Sequence, residues 1–107
     1  MPVHFFQHLH DHHTPPQYKW FDGVKWQTSK TGHYLPVISP IDNSVLGKIP
    51  VVTHPEIDAA IKKAHEAQRE WKNVSIIKRG KVLHLAADWL REHESYLTTL
   101  LVKEIGK

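Results

Sequence analysis

Hydrophobic and polar positions change their period once along this chain of 107 residues, at Val52. Before it, Tyr18, Trp20, Trp26, Tyr34, Val37, Ile38, Val45, Leu46, Ile49, Val51 and Val52 supply β-branched and aromatic side chains in short runs. Such residues suit a pleated, half-buried surface. Asp22-Gly23, Lys30-Thr31-Gly32 and Asp42-Asn43-Ser44 punctuate the runs. Asp-Gly between aromatic residues is a hairpin signal, because glycine tolerates the positive φ such turns require. The pattern predicts short strands near 18–21, 24–27, 34–38 and 45–52. Pro36, Pro40 and Pro50 cannot donate to a ladder, so edge strands or strand ends are expected.

After Val52 the helical period takes over. Thr53-His54-Pro55-Glu56 has the form of a capping box with proline in the first turn. Ile57, Ala60, Ile61, Ala64, Gln68 and Trp71 then recur at helical spacing as one apolar stripe. Asn73 and Ser75 interrupt and offer a new N-cap. A second helix carries Ile76, Leu83, Ala86, Ala87 and Leu90 on one face, with Gly80 inside it costing about 1 kcal/mol relative to alanine. A third, capped near Glu94-Ser95, is expected to carry Leu97, Leu100, Leu101 and Ile105 inward. Gly106 stands where a helix end favours the left-handed conformation. The expected fold class is α+β: a β-hairpin region followed by three helices.

Composition narrows the chemistry. Hydrophobic residues make up 40% and charged residues 23%, the profile of one small globular domain. No apolar run approaches the roughly 20 residues of a membrane helix. Cysteine is absent, which excludes a disulfide framework, a Cys-ligated metal and a cysteine nucleophile within these residues. The formal net charge is +3. Residues 1–17 hold five of the ten histidines and the Pro15-Pro16 pair. They lack the apolar run of a signal peptide and are expected to form a flexible extension ahead of a folded part at 18–107. The default location is then cytoplasmic.

Candidate sites are few. His8, His10, His12 and His13, with Asp11 among them, form a tract dense enough to bind Zn²⁺ or Ni²⁺. It lacks the neighbours that fix a geometry, so adventitious binding or plain solvation is expected. Lys78-Arg79-Gly80-Lys81 is the basic cluster, read as a solvated helix face rather than a nucleic-acid contact. His65 and His84 have no Ser, Cys or carboxylate at a relay spacing and read as helix-surface or partly buried histidines. Trp20, Trp26, Trp71 and Trp89 read as packing residues. No catalytic, cofactor-binding or metal-ligating residue is assigned.

Three amphipathic helices and several proline-rich strand fragments each present an apolar face without a self-sufficient sheet to receive it. Lys107 follows a helix stop by one position, and the reading favours a chain cut where a helix hands over to its next element.

The residues in order resemble a known family. Trp26 with Ser29 and Gly32, then Val37-Ile38-Ser39-Pro40-Ile41-Asp42 and Val45-Leu46-Gly47-Lys48-Ile49-Pro50, resemble the N-terminal hairpin region of the aldehyde dehydrogenase superfamily. The helical half matches in Glu56-Ile57-Asp58-Ala59-Ala60-Ile61, Ala64 to Trp71, Arg79, Leu83, Ala86 to Asp88, Leu90 and Lys103-Glu104-Ile105-Gly106-Lys107. The resemblance covers about residues 18–107. Within the superfamily it is most similar to the non-phosphorylating, NADP-dependent glyceraldehyde-3-phosphate dehydrogenases.

That resemblance implies the N-terminal part of an α/β enzyme with a Rossmann-like cofactor domain, which oxidises an aldehyde to the acid with NADP or NAD. A cysteine thiolate attacks the aldehyde in such enzymes, hydride leaves to the nicotinamide, and a glutamate-activated water hydrolyses the thioester. None of those steps maps onto a residue here: there is no cysteine, and the glycines stand apart at 23, 32, 47, 80 and 106. The 107-residue chain alone is expected to be inactive and to bind no cofactor. Its implied partners are the remainder of the enzyme chain and further copies in a homo-oligomer, with neither nucleic acid nor membrane. Relatives often hold a monovalent cation partly through a backbone carbonyl that would map to Ile38. The other ligands would lie in later sequence, so Ile38 is expected instead to pack inward as a strand residue. The alternative class is a non-catalytic interaction module or a His-rich metal-binding protein.

Overall fold

The computed structural model describes residues 15–107. The histidine tract, and all but the last three residues of the expected extension, lie outside the described residues. The element order is β1 (Trp20–Phe21), β2 (Trp26–Gln27), β3 (Tyr34–Ile38), β4 (Val45–Pro50), α1 (His54–Trp71), α2 (Ile76–Glu92) and α3 (Glu94–Ile105). The strands form two separate antiparallel pairs, β1 with β2 and β3 with β4. Among the described residues neither pair extends into a broader sheet, in keeping with Pro36 within β3 and Pro50 at the end of β4.

The first hairpin is shorter than expected, and its turn is wider. Trp20 pairs with Gln27 and Phe21 with Trp26. Between them Asp22 closes the loop with its own carboxylate, whose Oδ1 accepts from the backbone N–H of Val24 at 2.8 Å and Lys25 at 2.9 Å. The Asp22 N–H donates to the Lys25 carbonyl at 3.1 Å. Asp22-Gly23 therefore starts an Asx-type loop rather than forming a two-residue turn, which takes residues 24 and 25 out of the strand.

In the second hairpin Leu35 faces Ile49, Pro36 faces Lys48 and Val37 faces Gly47, with a register shift between Val37 and Ile38. The connecting loop is self-bonded. Ser39, almost completely buried, donates its N–H to the Ser44 carbonyl at 2.9 Å, and Asn43 returns its N–H to Ser39. Asn43 takes φ +60°, a conformation asparagine tolerates better than most residues. On its other side β4 is also paired: Tyr18 N–H donates to the Lys48 carbonyl at 2.8 Å, and Lys48 N–H to the Pro16 carbonyl at 2.9 Å. Extended pairing begins at Pro16, two residues ahead of the expected start. The Tyr18 ring lies across Gly47, where an added Cβ would come 2.5 Å from Tyr18 Cε2.

The helices form where their termini are specified. Thr53 caps α1 in a complete capping box: its Oγ1 accepts from Glu56 N–H, while Glu56 Oε2 accepts from the Thr53 N–H at 2.9 Å. Ser75 caps α2 through Lys78 N–H. The third cap departs from expectation. His93 both ends α2 and begins α3, with no side-chain cap bond. Its ring Nδ1 donates instead to the Trp89 carbonyl at 2.8 Å, and the ring stacks on the Trp89 indole at 4.2 Å. Gly106 ends α3 with φ +74° and rests against Pro40.

Among the described residues no hydrophobic side chain is buried. The expected inward faces are open: Ile61, Leu90, Leu101 and Ile105 are more than half exposed, and Ile76 is 77% exposed. Ile38, expected to pack inward, is 45% exposed at the register shift. Trp26 and Trp71, read as packing residues, are also exposed. The physical reason is that close approach between elements is concentrated in the strand pairs and at the α2–α3 joint, so no second layer lies on the helices.

Two substitutions test this account. Gly47→Ala forces the Tyr18 ring off β4 and is expected to cost about 1–3 kcal/mol, read as faster amide exchange at Tyr18 and Lys48. Thr53→Ala removes the α1 cap at about 1 kcal/mol, with loss of exchange protection confined to the first turn of α1.

Candidate functional site

Three surfaces collect side chains that could act on something else. The first is a polar cleft where the β1–β2 hairpin meets α1, lined by Trp20, Asp22, Gln27, Lys30, Glu56 and Lys63. Two ion pairs cross it, Lys63 Nζ to Asp22 Oδ2 at 3.9 Å and Lys30 Nζ to Glu56 Oε1 at 3.8 Å. Both carboxylates are already committed. The hydrogen bond that Gln27 Nε2 donates to Asp22 Oδ2 at 2.6 Å, with the two backbone donors on Oδ1 and then Lys63, holds the Asp22 carboxyl far below the usual carboxylate range. Thr53, through its backbone N–H and then its hydroxyl, lowers Glu56, with Lys30 adding to the effect. Hydrogen bonds from Ser44 lower Asp42 in the β3–β4 loop in the same way. Carboxylates stabilised as anions are structural ties rather than proton donors.

The second surface is a shallow apolar cleft between β3–β4 and α3, lined by Tyr18, Val37, Leu46, Ile49, Leu100 and Glu104. Desolvation, then the nearby Tyr96 and Glu104, raises the Tyr18 phenol.

The third surface is the widest. Trp71 at the end of α1 is shared by two adjoining apolar concavities, one reaching Ala64, Ala67 and Val74, the other Ile76, Arg79, Gly80 and Leu83. It is open to solvent along both helices, the form of an interaction surface rather than of a reaction centre.

Against these surfaces the sequence candidates fall as follows. His65 lies exposed on α1 and His84 exposed on α2. Among the described residues no three His, Cys, Asp or Glu side chains gather as a metal-ligand set. The basic cluster splits: Lys78 and Lys81 are exposed, but Arg79 is partly buried, and its Nε has neither solvent nor a hydrogen-bond partner among the described residues. A solvated face describes the two lysines and not the arginine. Its signal in the sequence was its position between apolar residues around the helix, which a count of neighbouring charges hides. The sequence marks Asp22 only as a turn residue, since the reach of its carboxylate to Gln27 and Lys63 is a matter of tertiary geometry.

The polar cleft does not fit a nicotinamide dinucleotide. The polar cleft is about 150 Å³ and is crossed by its own ion pairs, well under the usual size of a cofactor site. Also among the described residues, no helix is long and apolar enough to cross a membrane.

Comparison with known proteins agrees on one relationship. The model of the aldehyde dehydrogenase family matches residues 26–107. The NADP-dependent glyceraldehyde-3-phosphate dehydrogenase of Apium graveolens is 31% identical over 90 residues, 84% of this chain and 18% of that protein. Malonate-semialdehyde dehydrogenase 2 of Geobacillus thermodenitrificans is 37% identical over 89 residues, 83% of this chain and 18% of that protein. Among solved structures, 3,6-anhydro-L-galactose dehydrogenase in complex with NAP superimposes with a TM-score of 0.76 at 34% identity, over 82% of this chain and 18% of that one. The chain spans about 18% of the length of the curated relatives it matches.

The depressed carboxyls give a pH prediction. Stabilisation from Asp22, Asp42 and Glu56 is complete above the unfolded carboxylate values near about 4 and is lost as pH falls through the lower folded values. Amide protection of the β1–β2 hairpin should stay flat from neutrality down to that point and then collapse. Asp22→Asn should start lower and show little of the acid step, as followed by amide exchange against pH.

Proposed function

This chain belongs to the aldehyde dehydrogenase family, and on that premise we propose that it serves as the N-terminal scaffold segment of an NAD(P)-dependent aldehyde dehydrogenase. Its contribution is shape and surface, while the thiol chemistry and the nicotinamide belong to sequence that its relatives carry beyond the matched segment. The observation that supports this most directly is the uncovered apolar surface: helices with specified caps and no buried hydrophobic residue among those described. Such helices gain their stability from what they pack against. The absence of cysteine from the sequence points the same way, because a thiolate is both attacking group and acyl leaving group in this chemistry.

Glyceraldehyde 3-phosphate is the aldehyde we propose for the assembled enzyme, with NADP as oxidant, after the names of the plant relatives. On the same reading the enzyme is a cytoplasmic homo-oligomer, and the remainder of the enzyme is the partner of this segment.

Two assays test the reading. The purified chain, given glyceraldehyde 3-phosphate and NADP⁺ or NAD⁺, should produce no reduced nicotinamide above the blank; turnover would overturn a scaffold role. Grafted in place of the matching segment of malonate-semialdehyde dehydrogenase 2 from Geobacillus thermodenitrificans, it should restore the aldehyde oxidation that deletion of that segment abolishes. A graft as inactive as the deletion would sink the proposal.

A further inference from the structure

One charged side chain stands in the wrong surroundings for a free surface. At about 100° per residue, Ile76, Gly80, Leu83, Ala87 and Leu90 form one apolar stripe of α2. Val82, Leu85 and Trp89 form a second, on the far side of the helix, with the exposed Lys78 among them. Lys81, His84, Asp88, Arg91 and Glu92 occupy one sector between the stripes, and that sector is the solvent face. Arg79 stands in the other sector, inside the apolar arc. It lines a concavity with Trp71, Ile76, Gly80 and Leu83. Arg79 is half-buried, and among the described residues its Nε is closed off from solvent with no hydrogen-bond partner. The acids of α2, Asp88 and Glu92, stand in the solvent sector away from Arg79, and Asp88 is paired with Arg91 at 2.8 Å.

A guanidinium cannot shed its proton, so burial is relieved only by pairing. A segment that covers this concavity with apolar groups alone would strand the charge, at a cost far above the gain from the apolar contact. The fork of N–H groups matches a carboxylate best.

We propose that Arg79 is the specificity anchor of this surface. Its occupant is an apolar segment from the remainder of the enzyme polypeptide that carries one Asp or Glu, whose carboxylate pairs with the Arg79 guanidinium as the segment covers Trp71, Ile76 and Leu83. This rests on the scaffold reading above. The occupant is taken as part of the enzyme because the relatives extend far beyond the 18% of their length that this chain spans, and the charge of Arg79 selects its chemistry. Arg79 is a positioning residue, acting on how the segment seats and not on the aldehyde.

The test uses the Geobacillus graft. In its Arg79→Lys variant the amine keeps the charge and can be coupled to a touching carboxylate by a zero-length carbodiimide. Mass spectrometry should then find the peptide containing position 79 joined to an Asp or Glu outside this segment. Arg79→Met should lower the Tm of the graft, and amidating the identified carboxylate by Asp→Asn or Glu→Gln should add no further loss in combination. A cross-link to Glu70, which lines the adjoining concavity beside Trp71, or between two copies of this segment, overturns the proposal. So does an active graft with no cross-link at position 79, or an Arg79→Met graft with unchanged Tm. A graft with native Arg79 that regains no activity instead overturns the scaffold reading, and this one with it.

Discussion

Burial of apolar surface stabilises a fold by about 25 cal/mol per Å², and this segment has almost nowhere of its own to place such surface. No hydrophobic residue among those described is buried, although three helices each carry an apolar stripe. What holds the chain in shape is therefore local and polar. The Asp22 carboxylate closes one loop, reaches across its hairpin to Gln27 and faces Lys63 on α1. Glu56 completes the Thr53 capping box and faces Lys30 from the hairpin side. These two acids tie the strand half to the helical half. Each ion pair alone is worth little in solvent; on the proposed scaffold reading its value lies in fixing where the helices point for a partner layer.

The elements themselves were legible because their determinants are local. Thr53, Ser75 and Gly106 mark helix ends by chemistry within one turn, and all three act as their positions predict. The prolines of β3 and β4 disfavour a broad sheet, and two separate strand pairs result, with Pro16 to Tyr18 added along β4. The misreadings share a cause. A hydrophobic period tells which face is apolar, not whether anything lies on it, so Ile38, Ile76 and Ile105 were expected inward and are exposed. No sequence pattern marks His93 as a cap, because its bond runs to the backbone of the helix it ends, from a ring and not a hydroxyl. Pro16 to Tyr18 joined β4 because Gly47 leaves room for a ring, a long-range fit that no window of sequence displays.

The surfaces follow the same division. Absence of a thiol and of a glycine-rich loop could be read directly, and it kept chemistry off the site assignments. The anomaly at Arg79 could not, since a run of Lys-Arg-Gly-Lys looks like solvated charge until its rotation around α2 is known. Sequence adjacency places Arg79 with two lysines; the helix turns it away from Lys81 and into an apolar arc with Ile76 and Leu83.

A segment without reactive groups can still decide whether an enzyme works. Catalysis depends on holding reacting atoms within a fraction of an ångström, and small displacements by remote packing are costly. A purely apolar surface such as that around Trp71 would accept many partner registers with similar energy, because hydrophobic contact is non-directional. One guanidinium inside it removes that degeneracy, since a register that fails to deliver a carboxylate leaves a charge stranded. On the proposed scaffold reading, apolar area then supplies the strength of the joint between this segment and the remainder of the enzyme, and a single arginine supplies its register.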